Sequence, residues 1–396
     1  MEVLEIVDDG AVLIGDDGTV AAVGRYRDVM KTATEAMEIE VDGVLFPGFV
    51  DCHTHAVFGE ARLADHERRA RGIAYKDIAA AGGGILSSVR DVRARPAGEL
   101  IDLTRRRLSH LLGAGTTTVE VKSGYGLELQ AELKQLEVIA ALGGEVPSLV
   151  PTFLGAHEVP PEYRPHPDEY VEIVVEEMLP AVQGQGLARF CDVFCEPGVF
   201  TVAQARRVLE AARAHGMALK LHADELDPSG GAELAASLGA VTADHLAAIS
   251  DEGVRALAAS GTIAVLLPGT MMFLGRTQHA PGRRLIDAGA AVALATDFNP
   301  GSSPGMSLPL MGTLAVSLAG LVPAEAVIAM TVNGAAGVGE AATRGQIAAG
   351  FRADLVLASV HDWRELVYWY GTNLVSQVWV GGVPCLAAER PVNFIV

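Results

Sequence analysis

The chain has 396 residues, half of them hydrophobic, with 30 Lys plus Arg against 49 Asp plus Glu and a formal net charge of −19. That length and apolar content suffice for a large core, and the acidic balance argues against nucleic acid or an anionic membrane as partner. A small anionic ligand stays open, because one buried arginine outweighs a diffuse acidic surface locally. The opening stretch MEVLEIVDDGAVLIGDDG is acidic where a secretory signal needs a basic start and a long apolar run. No run approaches the ~18 to 20 apolar residues of a membrane span, so a cytoplasmic protein is expected. Cys52, Cys191, Cys195 and Cys385 lie in or beside apolar segments without zinc-ribbon spacing, and read as reduced rather than disulfide-bonded.

In chain order, residues 1–46 read as short strands and tight turns. Two apolar runs between Ala11 and Gly24 are joined by Asp16-Asp17-Gly18, a hairpin signal. From Val44 the texture becomes strand, loop and helix in alternation. Strand 116–121 precedes a helix over 129–142, and strand 148–153 precedes one around 170–179. Strand 193–194 precedes 201–215, 218–222 precedes 229–238, and 241–245 precedes 247–259. Strands over 262–267 and 291–297 follow, the last before a helical tail. Repeated βα units of this length imply a parallel sheet, and eight of them a closed barrel. The end of the chain returns to β texture over 350–357 and 375–383. The expected architecture is therefore an α/β (β/α)8 TIM-like barrel over 47–349. Segments 1–46 and 350–396 would pair as a small composite β-sandwich domain, since chain termini often lie close together.

In such a barrel, chemistry gathers at the C-terminal ends of the strands. Polar groups at the predicted strand ends are His53 and His55, Lys122 to Tyr125, His157, Glu196, His222 with Asp224 and Glu225, His245, and Asp297 to Ser302. The other histidines (His66, His110, His166, His215, His279, His361) fall in helices or loops. His53 and His55 are two apart, so their rings share one face of an extended strand and can close on one metal ion. A catalytic site wants three or four N/O ligands and an open position, which His53, His55, His222 and Asp297 would provide. Water on such an ion becomes hydroxide near neutral pH, and a carboxylate beside it can take and return a proton. Asp297 and Glu225 are the candidates, since Asp224 alternates away from its neighbours. His245 is placed to polarise a substrate carbonyl or steady an oxyanion.

These positions together resemble the amidohydrolase superfamily, in which an HxH after the first strand, later histidines and an aspartate after the eighth surround the metal. Longer strings resemble one branch of it, the imidazolonepropionase family. They are Pro47 to His55 with Arg62, Ala81 to Ile85, Glu120 to Leu127, and Thr152 to His157. Further ones are Asp192 to Glu196, Lys220 to Glu225, Ala243 to Leu246, Ala264 to Gly269, and Ala293 to Ser302. The resemblance covers roughly residues 44–358. It implies hydrolysis of the cyclic amide of 4-imidazolone-5-propanoate to N-formimino-L-glutamate in histidine degradation, by a metal-bound hydroxide. It implies metal ligands His53, His55, His222 and Asp297, and catalytic roles for Glu225, His245 and Asp297. Substrate contacts would come from Arg62, Tyr125, His157, Glu225, Asn299, Gly301 and Ser302, with Arg62 on the propanoate carboxylate. The cofactor would be one divalent or trivalent ion, zinc or iron. Lys122 lies at about the strand where binuclear members carry a carboxylated bridging lysine, yet in this branch a mononuclear site is expected. Members of this shape are often dimers, which leaves a homodimer open.

The chain departs from the family pattern in three places. It begins nearer its first hairpin than is usual, which leaves the small domain trimmed or its true start upstream. Ala56 follows His55 where a larger apolar residue is common, and Met271 to Pro281 matches an aromatic-bearing loop only loosely. The competing assignments are another cyclic amidohydrolase or nucleobase deaminase of this superfamily, and a non-catalytic barrel relative. A neutral nucleobase offers no carboxylate to Arg62, and a non-catalytic relative typically loses ligands that this chain keeps.

Overall fold

The computed structural model describes residues 4–33, 36–73, 77–78 and 81–387. Of the expected composite domain, residues 1–3, 34–35 and 388–396 lie outside those described. Among the described residues fourteen strands run β1 (Gly10–Ile14), β2 (Val20–Arg25), β3 (Val44–Pro47), β4 (Phe49–Asp51), β5 (Thr116–Lys122), β6 (Ser148–Ala156) and β7 (Phe190–Cys195). They continue with β8 (Ala218–Ala223), β9 (Thr242–His245), β10 (Ile263–Leu266), β11 (Val292–Leu294), β12 (Leu355–Ala358), β13 (Val375–Val380) and β14 (Val383–Ala387).

Strands β4 to β11 form an eight-stranded parallel sheet in sequence order, with helices between successive strands. Their burial is near-complete along the whole run, as a sheet covered on both faces requires. The ring is closed by the segments that follow the first and last strands. Thr54 bridges Phe298 in parallel, His55 N donates to Phe298 O at 2.9 Å, and Asp297 N donates to His53 O at 3.0 Å. This is the expected (β/α)8 barrel. The helix Val202–Ala214 illustrates the covering layer. Ala205, Val208, Leu209 and Ala212 bury one stripe at helical spacing, and Thr201 with Gln204 closes a reciprocal capping box at its start. The helix expected around 170–179 is longer, Pro167 to Gln185, and passes through a π-helical turn at Val174–Met178.

The remaining strands make two β layers. β3, β12, β13 and β14 form an antiparallel sheet, and β1 with β2 form a hairpin. Leu355, Leu357 and Trp379 of the sheet pack against Val12 and Ile14 of the hairpin, so N- and C-terminal segments share one small core. The apolar run 44–51 is split at Gly48 between this sheet and the barrel. Buried Asp354 accepts from Arg344, whose guanidinium also donates to Thr118 Oγ1 and Ser148 Oγ at 3.1 Å, tying the sheet to the N-terminal end of the barrel. No helix among the described residues is long and apolar enough to cross a membrane. All four cysteines are free.

Candidate active site

The strand-end groups meet at the C-terminal mouth of the barrel. His53 and His55, on the extension of β4, place their Nε2 atoms 3.3 Å apart, and both lie 3.5 Å from Asp297 Oδ1. His222, at the end of β8, sets its ring centroid 4.5 Å from that of His53. His245, from β9, stands 5.1 Å from His222 and 5.5 Å from His53. All five side chains are buried. The groups His53–His55–His222 and His53–His245–Asp297 each hold ligand atoms within 4.8 Å of one another. Backbone strain gathers here as well. Among the described residues, five of the six non-glycine residues with positive φ (Leu127, Asp224, His245, Leu246, Asp297) follow or end barrel strands at this mouth.

The hydrogen bonding fits a cation. His53 Nδ1 faces Asp244 Oδ2 at 2.6 Å, which puts the proton on Nδ1 and leaves a lone pair on Nε2. That lone pair meets a second imidazole nitrogen and a carboxylate oxygen, three electron-rich atoms together. His222 Nε2 and both nitrogens of His245 are buried without a hydrogen-bond partner among the described residues. Neutral rings suit the role. Burial lowers the pKa of His53, His55 and His245, and neighbouring positive groups lower it further. For His222 burial works against the proton too, but the Asp192 carboxylate outweighs it and raises the pKa. Asp297 is pushed up to about 6 by burial, against the hydrogen bond that Thr270 Oγ1 donates to its Oδ2 at 2.7 Å.

The rest of the expected residues surround this group. Glu225 Oε2 lies 3.7 Å from His245 Nδ1, and its pKa rises to about 8, first from burial and then from repulsion by Asp297. The His157 ring stacks on His55 at 4.9 Å, and its Nδ1 donates to Gly124 O at 2.9 Å, leaving Nε2 an acceptor. Tyr125, buried, packs its ring against both. Arg62 crosses to the loop after β11: its backbone N donates to Pro300 O, and its guanidinium lies against Gly301. Asn299 is committed to that loop. Its Oδ1 accepts from the Gly301 and Ser302 amides, and its Nδ2 donates to Asp297 O and Ser302 Oγ.

Two strand-end carboxylates serve the backbone instead. Asp224 accepts from the amides of Ser229, Gly230, Gly231 and Ala232 at the start of the helix Gly231–Ser237. Glu196 accepts from the amides of Glu225 and Asp227. Conversely, charges inside the strands support the rings; sequence reasoning noted Lys122 but gave no role to Asp192 or Asp244. Asp244 lies behind His53, Asp192 Oδ2 is 3.0 Å from His222 Nδ1, and Lys122 Nζ contacts both aspartates. The available signal was polar residues at alternate positions within apolar strands, Glu120 with Lys122 and Thr242 with Asp244, which must point into the barrel. A surface hollow of about 350 Å³ between His279 and Ala319 contains none of the convergent groups.

Residues 44–385 match the amidohydrolase family model. The chain belongs to the amidohydrolase family. Among amidohydrolases it is 48% identical over 388 residues to the imidazolonepropionase of Geobacillus kaustophilus, covering 96% of this chain and 91% of the relative. It is 47% identical to the imidazolonepropionase of Parabacteroides distasonis, at the same two coverages. Among solved structures, an adenosine deaminase from Xanthomonas campestris with bound zinc superposes with a TM-score of 0.74 at 21% identity, over 99% of this chain and 92% of that one. A 5-methylcytosine deaminase from Klebsiella pneumoniae gives 0.70 at 17%, over 100% and 98%. At those identities the structures establish the barrel fold and nothing finer.

Proposed function

We propose that the protein hydrolyses 4-imidazolone-5-propanoate to N-formimino-L-glutamate in histidine degradation, with one metal ion. The observation that carries this is the clustering of His53, His55, His222 and Asp297 at the barrel mouth, in a chain 48% identical over nearly its whole length to an imidazolonepropionase. Those four residues would hold the ion, and a set of three imidazoles and one carboxylate suits zinc and iron alike. When bound, such an ion acidifies water and polarises a carbonyl.

The chain's own groups do the rest. The Arg62 guanidinium forks the propanoate carboxylate and so orients the ring for attack. Tyr125 and His157 hold the polar edge of the imidazolone, His157 accepting through Nε2. Asn299, Gly301 and Ser302 frame the tail, Asn299 by fixing the loop from within. Water adds to the ring carbonyl carbon and loses a proton to the Asp297 carboxylate. His245 steadies the oxygen that becomes negative. The carbon–nitrogen bond then breaks as Glu225, whose raised pKa keeps a proton on it near neutrality, passes that proton to the departing nitrogen, and the proton Asp297 took from water restores Glu225. The proposal includes a cytoplasmic setting and leaves a homodimer open. It includes no nucleic-acid or membrane partner, in keeping with the charge of −19.

The test is direct. Purified protein mixed with 4-imidazolone-5-propanoate should abolish the absorbance of the conjugated ring and yield N-formimino-L-glutamate. Persistence of the ring at micromolar enzyme loaded with zinc or iron rejects the assignment.

A further inference from the structure

Directly beneath the ring cluster, the barrel axis holds a layer of buried charges. Lys122, Lys220, Glu120, Asp192 and Asp244 are all fully buried. Lys122 Nζ lies 2.8 Å from Asp192 Oδ2, 2.9 Å from Glu120 Oε2 and 3.8 Å from Asp244 Oδ2. The two aspartate oxygens are the very atoms that face the imidazoles: Asp192 Oδ2 toward His222 Nδ1 at 3.0 Å, and Asp244 Oδ2 toward His53 Nδ1 at 2.6 Å. Asp192 is held further by the His222 amide on its Oδ1. Lys220 completes the layer, 3.0 Å from Glu120 Oε1 and donating to Cys52 O, the carbonyl just before His53.

Such a layer is costly to bury, and well-packed apolar residues in its place are often no less stable. Fold stability alone therefore does not account for it. Its geometry does: one ammonium lies within ion-pair reach of two carboxylates, and each carboxylate faces Nδ1 of one ring, Asp244 in a hydrogen bond to His53 and Asp192 at 3.0 Å from His222. Three carboxylates against two ammoniums also leave the layer negative below the proposed ion. His55, the third ring, has no carboxylate behind it, and its Nδ1 makes no hydrogen bond among the described residues.

We infer that Lys122 is a positioning residue for the metal centre. It holds Asp192 and Asp244 in place behind His222 and His53, so that each ring keeps Nδ1 toward its aspartate and turns Nε2 to the ion. The inference rests on the assignment of His53 and His222 as ligands. A residue acting this way contributes typically 10- to 100-fold to metal affinity.

The experiment measures zinc affinity by competition with a chromophoric chelator, and the visible absorption of the cobalt-loaded protein, in three variants beside the wild type. K122M should bind zinc 10- to 100-fold more weakly and shift the cobalt bands while keeping the circular dichroism of the barrel. In the D192N/D244N background the same change should cost nothing or tighten binding, because the lysine then has no carboxylate to hold and only repels the ion. The triple variant keeps Glu120 balanced by Lys220, so its comparison with D192N/D244N decides the matter even where K122M alone does not fold. Wild-type affinity and spectrum in a folded K122M overturn the inference, as does a triple variant binding 10-fold more weakly than D192N/D244N. A wild-type protein that takes up neither zinc nor cobalt fails the ligand assignment itself, a result distinct from either.

Discussion

The guanidinium of Arg62 lies against the α-carbon of Gly301, so closely that a Cβ at Gly301 would fall 2.0 Å from Arg62 Cζ. The loop after the eighth barrel strand thereby sets where the arginine stands. Gly301→Ala should push the guanidinium off its proposed carboxylate-binding position without touching the proposed metal ligands. A charge-assisted hydrogen bond is worth about 1.5–3 kcal/mol, so KM for imidazolonepropanoate should rise roughly 10- to 100-fold with a smaller change in kcat. Arg62→Ala should do the same. Steady-state kinetics of both variants check this, and an unchanged KM in Arg62→Ala removes the arginine from substrate binding.

Asp297 combines two proposed tasks on one carboxylate, ligand and proton acceptor, and its backbone helps close the barrel. Asp297→Asn keeps the shape and the amide that donates to His53 O. The variant should fold with native circular dichroism while kcat falls by several orders of magnitude. Near-native turnover would contradict the proposed mechanism.

Glu225 gives a pH signature in metal-free protein. Its pKa rises from 4.5 to about 8 on folding, so the folded state prefers the protonated form. This group therefore costs no stability below pH 4.5, and its penalty grows as pH climbs from there to about 8. Glu225→Gln mimics the protonated form and should remove that slope. Denaturation of metal-free wild type and variant at pH 5 and pH 8 measures it: the variant should gain relative stability at the higher pH. An equal difference at both pH values would show that Glu225 does not titrate across that window.

Gly48 marks the crossing between the small sheet and the barrel. A Cβ there would lie 2.2 Å from Thr117 Oγ1, and its amide donates to Asp354 O at 2.7 Å. Gly48→Ala should cost about 1–3 kcal/mol through overpacking, read as a lower thermal midpoint with KM unchanged.

The barrel was legible because βα units repeat at regular spacing and the two-residue period of a strand puts His53 and His55 on one face. The same alternation removed Asp224 from the site, and the structure spends that carboxylate on a helix start. Non-local relations were not legible. Nothing local in the run 44–51 says that Val44–Pro47 pairs with β12 while Phe49–Asp51 joins the barrel. Nor does any local pattern announce that Thr54 meets Phe298. The charged layer of Lys122, Asp192 and Asp244 was visible only as charges within apolar strands. Its meaning depends on three strands placing those charges on one axis. Arg62 reads as a surface arginine until the loop at Gly301 is folded against it.

The central claim is that hydrolysis depends on one ion held by His53, His55, His222 and Asp297. The most direct measurement strips the protein with a chelator and follows imidazolonepropanoate loss as zinc or iron is added back. The rate should start near zero, rise linearly to one equivalent per chain and then level off. Full turnover in stripped protein, or none at any metal load, would contradict it.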